Sequence, residues 1–289
     1  MITTATASSQ VQIQRERPAL FEYALVSSYP SGTPFTPGVT PAAPRNFDNT
    51  LNTLRDLAMS ENWDYSTPSP DRHLPILYNY LLHTFARIKE EGKLIEIENY
   101  SCFNTGLVTE NQEEIFMLFK KKRDGNGWIF QEFCKDSSSS LQKFKTLPER
   151  AMYFAEHSEL IYDTRLELRI NIDHIVDDAE NFARFPKDMQ QWSKHQLINT
   201  FKGAIDHAKK RVKRNYLTAI PQYYRGKYTA AAHLQLLLPL CLRDASKADL
   251  ALAVYKKDGM YNGRTCLTLD MAINNARLIT KPDDEWLKP

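Results

Sequence analysis

Ile115-Phe116-Met117-Leu118-Phe119 and Trp128-Ile129-Phe130-Gln131-Glu132-Phe133 are two runs of branched and aromatic residues, and Asp124-Gly125-Asn126-Gly127 lies between them. Asp-Gly and Asn-Gly pairs accept the positive φ angles that tight hairpin turns demand, so the stretch predicts a β-hairpin. The same grammar recurs on either side. Residues 94–97 and 101–103 read as short strands, and 234–242, 250–255 and 266–269 read as three more, with Lys257-Asp258-Gly259 as a turn. Successive strands on short links pair antiparallel or mixed. The expected fold class is therefore α+β, helical regions with a small antiparallel or mixed sheet, and not a doubly wound one.

Helical periodicity surrounds these strands. Leu51, Leu54, Leu57 and Ala58 recur at helical spacing, as do Leu77, Leu81, Phe85 and Ile88, and Gly92 stops the second helix. Two helices followed by a small sheet resemble a winged-helix outline over 47–135. Farther on, Thr146 and Glu149 have capping-box spacing and predict a helix to about His157. Residues 171–183 and 188–216 predict two more helices, and 271–279 a terminal one. In the 188–216 helix Leu197, Phe201, Ile205, Ala208 and Val212 make one apolar stripe, and Lys202, Lys209, Lys210, Lys213 and Arg214 lie away from it.

The organisation expected is a leader, a first unit at 47–135, and a helical and C-terminal α+β part at 136–289 packed with it as one body. The leader, 1–46, is rich in Pro, Ser and Thr and reads as flexible. One apolar island within it, 20–25, is suited to docking on the body. No internal repeat is visible in the residues.

Composition narrows the functional classes. Hydrophobic residues at 42% and charged residues at 25% suit a soluble globular chain. The N-terminus has no basic stretch followed by an apolar core, so a cytoplasmic location is expected. The longest apolar run, 234–242, contains Gln235 and Pro239 and falls far short of the roughly 20 residues that span a bilayer. Cys102, Cys134, Cys241 and Cys266 lack metal-ligand or redox spacing and read as reduced, buried thiols. Neither the dinucleotide fingerprint, the Walker pattern nor a Gly-x-Ser-x-Gly elbow is present. No cofactor and no metal are expected.

Charge gives the strongest functional signal. Residues 187–228 hold ten Lys/Arg against two Asp, a local charge of +8 in a chain of +2. Such concentration seeks polyanions. Tyr216, Tyr223, Tyr224 and Tyr228 follow the basic helix, interleaved with Arg225 and Lys227, and offer faces for base stacking.

Three smaller clusters add candidates. Asn79, His83 and Arg87 stand four apart on one helical stripe, a geometry for a general acid with a charge clamp, or for a plain solvated face. Asn104 and Gly106 mark a tight turn whose amides could cradle an anion. Asn171, His174 and Asp178 share a face at a helix start, where capping competes with metal or base chemistry. Asp270, Asn274 and Arg277 sit on the terminal helix; Asp270 reads as its cap, and the set could hold a base or ribose.

Residues 79–87, 103–107, 236–241 and 267–277 together resemble an uncharacterised bacterial domain family, over roughly 47–287. Members of that family stand alone or are joined to cold-shock or OST-type helix-turn-helix modules. The resemblance implies an RNA-linked neighbourhood and no activity, so it lends no catalytic residue.

The expected function is binding of RNA or single-stranded nucleic acid by Lys209, Lys210, Lys213, Arg214, Tyr223, Tyr224, Arg225 and Lys227. Asn104, Asp270, Asn274 and Arg277 would shape a pocket nearby. The alternative is an enzyme acting on a nucleotide or RNA phosphoester, with His83 or His174 as acid/base and Arg87 or Arg277 holding the anion. A third class is a protein-interaction module for an acidic partner. No membrane partner is expected.

Overall fold

The computed structural model describes residues 17–26, 47–66, 72–224, 233–282 and 286–287. They form an α+β fold with two five-stranded mixed sheets. The first sheet opens with a short helix, α1 (Ala19–Tyr23), and a two-residue strand, β1 (Ala24–Leu25). Helices α2 (Phe47–Leu57) and α3 (Pro75–Glu90) follow. A meander of β2 (Ile95–Glu96), β3 (Tyr100–Val108), β4 (Glu114–Lys121) and β5 (Trp128–Lys135) completes the sheet, in the order β1-β5-β4-β3-β2.

The second sheet repeats this plan. Strand β6 (Leu168–Ile170) is followed by helices α4 (Ile172–Asp177), α5 (Ala179–Phe182) and α6 (Lys194–Arg214), then by a second meander. Its strands are β7 (Ile220–Tyr224), β8 (His233–Leu240), β9 (Leu250–Lys257) and β10 (Met260–Leu267), in the order β6-β10-β9-β8-β7. Helix α7 (Leu269–Arg277) closes the fold.

Register makes the repeat specific. In each sheet the strand before the helices returns as an edge strand parallel to the last strand, pairing Ala24 with Trp128 and Leu168 with Tyr261. Each last strand then bulges at the same step, leaving Gln131 unpaired after Phe130 and Arg264 unpaired after Gly263. Carried across the sheets, the register puts Phe103, Met117 and Phe119 in the places of Leu238, Leu252 and Val254. The first set packs beneath α3 and the second beneath α6. An internal repeat is therefore present, although none is visible in the residues. A sheet position demands an apolar side chain on the helix side and tolerates many identities there.

The outer faces differ. Cys102, Phe116, Leu118 and Cys134 are covered by Leu141 and Phe144. The matching Leu237, Ala251, Ala253 and Leu267 join Ala272, Ile273 and Ala276 of α7 in the main core. Small residues on both surfaces let α7 lie close against the second sheet, and α7 meets α3 on its other side. The layers run first sheet, α3, α7, second sheet, α6.

Several expectations change. The winged-helix outline gives way to helices lying across a five-stranded sheet. Residues 146–156 form no helix, because their backbone finds partners on other elements: Lys93 Nζ donates to Arg150 O at 3.0 Å, and Arg87 Nε to Met152 O at 2.9 Å. The 171–183 helix splits at Asp178, which is extended and caps α5 by accepting from Asn181 N. The turn read at 103–107 lies inside β3, where Gly106 (φ +74) sits in a bulge. The island at 20–25 is seated on the body, with Leu20 and Ala24 buried. The Tyr23 ring lies among Phe85, Phe119 and Trp128, and its hydroxyl donates to Glu96 at 2.8 Å.

Burial pushes the Cys102, Cys134 and Cys266 thiols up to about 12, whereas Cys241 is only half-buried. The thiolate is the reactive form. A maleimide near neutral pH is expected to label Cys241 first and the other three only as the chain unfolds, as mass spectrometry of a labelling time course will show.

Candidate functional site

Helix α6 carries the strongest charge on the surface. Ser193 opens it with a capping box, accepting from Gln196 N while the Gln196 side chain accepts from Ser193 N. At about 1.5 Å per residue its 21 residues extend roughly 30 Å. Leu197, Phe201, Ile205, Ala208 and Val212 are buried as their spacing predicts, and Lys202, Lys209, Lys210, Lys213 and Arg214 are exposed. Lys210 meets Asp206 at 2.6 Å, an exposed pair that solvent screens and that adds little to stability. Among the described residues Lys213 and Arg214 make no ion pair.

The helix ends at a cleft. Asn215 turns the chain by accepting from Leu217 N, and the 3-10 turn Tyr216–Thr218 leaves Tyr216 60% and Leu217 58% exposed. With Ile161, Arg211, Pro221 and Lys281 these residues line a cleft of about 520 Å³. Cations thus border an exposed ring. Ile161 and Lys281 escaped the sequence reading because nothing local marks them; they reach the cleft only through the tertiary fold.

The other tyrosines lie elsewhere. Tyr223 and Tyr224 sit on edge strand β7 and line a separate cavity of about 100 Å³ with His83, Arg87, Tyr153 and Asn275. Tyr223 packs edge-on against Tyr153, and the Arg87 guanidinium lies 5.4 Å from its ring. Arg87 is held by Glu91 at 2.6 Å as well as by Met152 O, which leaves it little freedom to clamp an anion. Arg225 and Lys227 lie outside the described residues.

The polar residues of α7 form the seam between the halves. Arg277 makes a two-pronged pair with Glu61 at 2.6 and 3.1 Å, their side chains only 13% and 9% exposed. Its guanidinium lies 4.9 Å from the Trp63 ring and 4.7 Å from that of Tyr80. Asn274 donates to the Tyr65 hydroxyl at 2.6 Å and accepts from Asn79 at 3.2 Å. The cap of α7 is Thr268, not Asp270; Asp270 is half-buried, and burial raises its carboxyl above the ordinary range. Asn104 is buried and committed, accepting from Gly106 N and donating to Pro148 O, so here it holds the β3 bulge. The Tyr80 hydroxyl stands 2.7 Å from where a Cβ on Gly106 would be, and it donates to Thr105 O. That close approach requires glycine.

His174 occupies a third place. It lines a cleft of about 700 Å³ with Arg169, Asn171, Lys202, Asn262 and Arg264. Asn171 caps α4 by accepting from His174 N, and Asp178 caps α5. Among the described residues no three His, Cys, Asp or Glu converge as metal ligands would.

The buried pair makes a stability prediction. Removing one partner strands a charge away from water, at a cost of about 3–5 kcal/mol. Arg277→Met is expected to lower the unfolding free energy by that order in a urea titration, and Arg277→Met with Glu61→Leu by less.

No curated protein and no solved structure matches this chain. Among the described residues no helix is long and apolar enough to cross a membrane. A family model described as a domain of unknown function (DUF3825) matches residues 54–286. That span takes in α3, both meanders and α7, and the chain belongs to the DUF3825 family of domains of unknown function.

Proposed function

We propose that this chain is a cytoplasmic protein that binds RNA or single-stranded nucleic acid along α6, with the phosphate backbone on its cations and a base in the cleft at its end. One observation carries the reading: Lys213 and Arg214, without ion pairs among the described residues, stand next to the exposed Tyr216 and Leu217. Phosphates release counterions to such cations, and a base stacks on such a ring. The expected association of this family with cold-shock and OST-type modules favours the same partner. Tyr223 and Tyr224 line the cavity around His83, so this reading gives the stacking role to Tyr216 alone among the described tyrosines that follow the basic helix.

Filter binding of a labelled single-stranded RNA across a salt series tests the reading. The quadruple variant Lys209→Ala, Lys210→Ala, Lys213→Ala, Arg214→Ala is expected to weaken binding on every sequence and to flatten the log–log salt slope by up to about 3. Tyr216→Ala is expected to lose about 1–3 kcal/mol of affinity with the slope kept. A quadruple variant that binds like the parent overturns the proposal. Shortened RNA that disappears with His83→Ala or His174→Ala points to phosphoester chemistry instead. Tight capture of an acidic polypeptide with no RNA affinity points to a protein partner.

A further inference from the structure

The two halves share a register, so equivalent corners can be compared. One such corner lies where the parallel edge strand meets the bulge of the last strand. In the first half it is built from Leu25, Ile129, Phe130 and Gln131. In the second half the same positions hold Arg169, Asn262, Gly263 and Arg264. Apolar residues have become polar or cationic, and the largest side chain has become none at all.

This second corner borders the cleft of about 700 Å³. Phe130 packs against the core in the first half; in the second, Ile170, Leu252 and Val254 close on Gly263, whose backbone forms part of the cleft wall. A Cβ at Gly263 would already meet Ile170 and Leu252 at 3.3 Å, so no larger side chain fits without displacement. Arg264 is the unpaired bulge residue, and bulges redirect side chains beside functional sites. Lys202 reaches the same cleft from α6, with His174 and Asn171 from the α4 side.

The charges there are unevenly used. Arg169 is held by Glu167 at 3.2 Å, and Asp173 meets Lys194 at 3.3 Å. Lys202 and Arg264 are exposed and make no ion pair among the described residues. Two uncommitted cations beside His174 and two asparagines suit a multiply charged, hydrogen-bonding anion. The volume falls within the range of about 300–1,000 Å³ usual for small-molecule sites.

We propose that the cleft bounded by Lys202, His174, Asn262 and Arg264 binds the phosphomonoester of a nucleotide, Lys202 and Arg264 meeting the phosphate and the remaining polar groups the nucleoside. The phosphate can belong to a free mononucleotide or to the 5′ end of an RNA strand. The site stands apart from the Tyr216 cleft, and it does not rest on binding along α6.

Calorimetry with AMP, UMP and adenosine, together with affinities for one RNA carrying a 5′-phosphate or a 5′-hydroxyl, tests the site on the full chain. A mononucleotide bound in preference to adenosine supports a free ligand. A gain in affinity from the 5′-phosphate, with no mononucleotide bound, supports the strand end. In either case Lys202→Gln and Arg264→Gln, both at exposed positions, are each expected to reduce the phosphate-dependent affinity about tenfold or more. The α6 quadruple variant retains it, which separates this proposal from the interface above. Phosphate-dependent binding unchanged in both single variants, or absent from the parent protein with every probe, overturns the proposal.

Discussion

A guanidinium withdrawn from water has to be answered, and the answer given to Arg277 sets the geometry of the whole molecule. Glu61 supplies the charge, while Trp63 and Tyr80 supply rings on which a weakly hydrated planar cation rests well. Tyr80 is itself fixed through Thr105 and the gap at Gly106, so the constraint reaches from α7 through α3 into the first sheet. Helix α7 in turn lies on the outer face of the second sheet, whose other face carries α6. The two clefts and the row of cations are therefore held against the first half by a contact that lies in neither cleft.

The sequence was legible wherever structure is local. The Asp-Gly and Asn-Gly turns, the stripes of α3 and α6, and the strands β4, β8 and β9 follow from spacing alone. The failures are tertiary. Thr146 and Glu149 have the spacing of a cap, but the backbone after them is claimed by Lys93, Arg87 and Glu91. Asn274 and Arg277 look like ligands because polar residues on a short helix usually face water; here they face Tyr65 and Glu61, which lie more than two hundred positions earlier. Charge on α6 was visible from composition. Arg264 was not, because nothing in the residues announces that it occupies a bulge.

The repeat explains why these errors cluster. Both halves satisfy one set of pairing rules with almost unrelated residues: Met117 matches Leu252, Phe133 matches Cys266, and Trp128 matches Tyr261. Only hydrophobic character and register are held in common, and neither leaves a trace that residue comparison detects. Freed from identity, the halves have specialised. The first buries aromatic side chains around Phe85, and the second has a cleft beside its equivalent corner and carries the basic helix.

Strand β1 gives the molecule a boundary of its own. Ala24 and Leu25 hydrogen-bond along β5, and Tyr23 fills a slot between Phe119 and Trp128, yet all three precede the residues on which family membership is recognised. A fragment cut at residue 54 would leave Trp128 and Ile129 with bare backbone groups, beside an aromatic hollow that Tyr23 had filled. Exposed strand edges recruit other strands. Material trimmed to the recognised span would thus be prone to self-association and poor solubility, arising from a missing edge and not from any weakness of the domain itself.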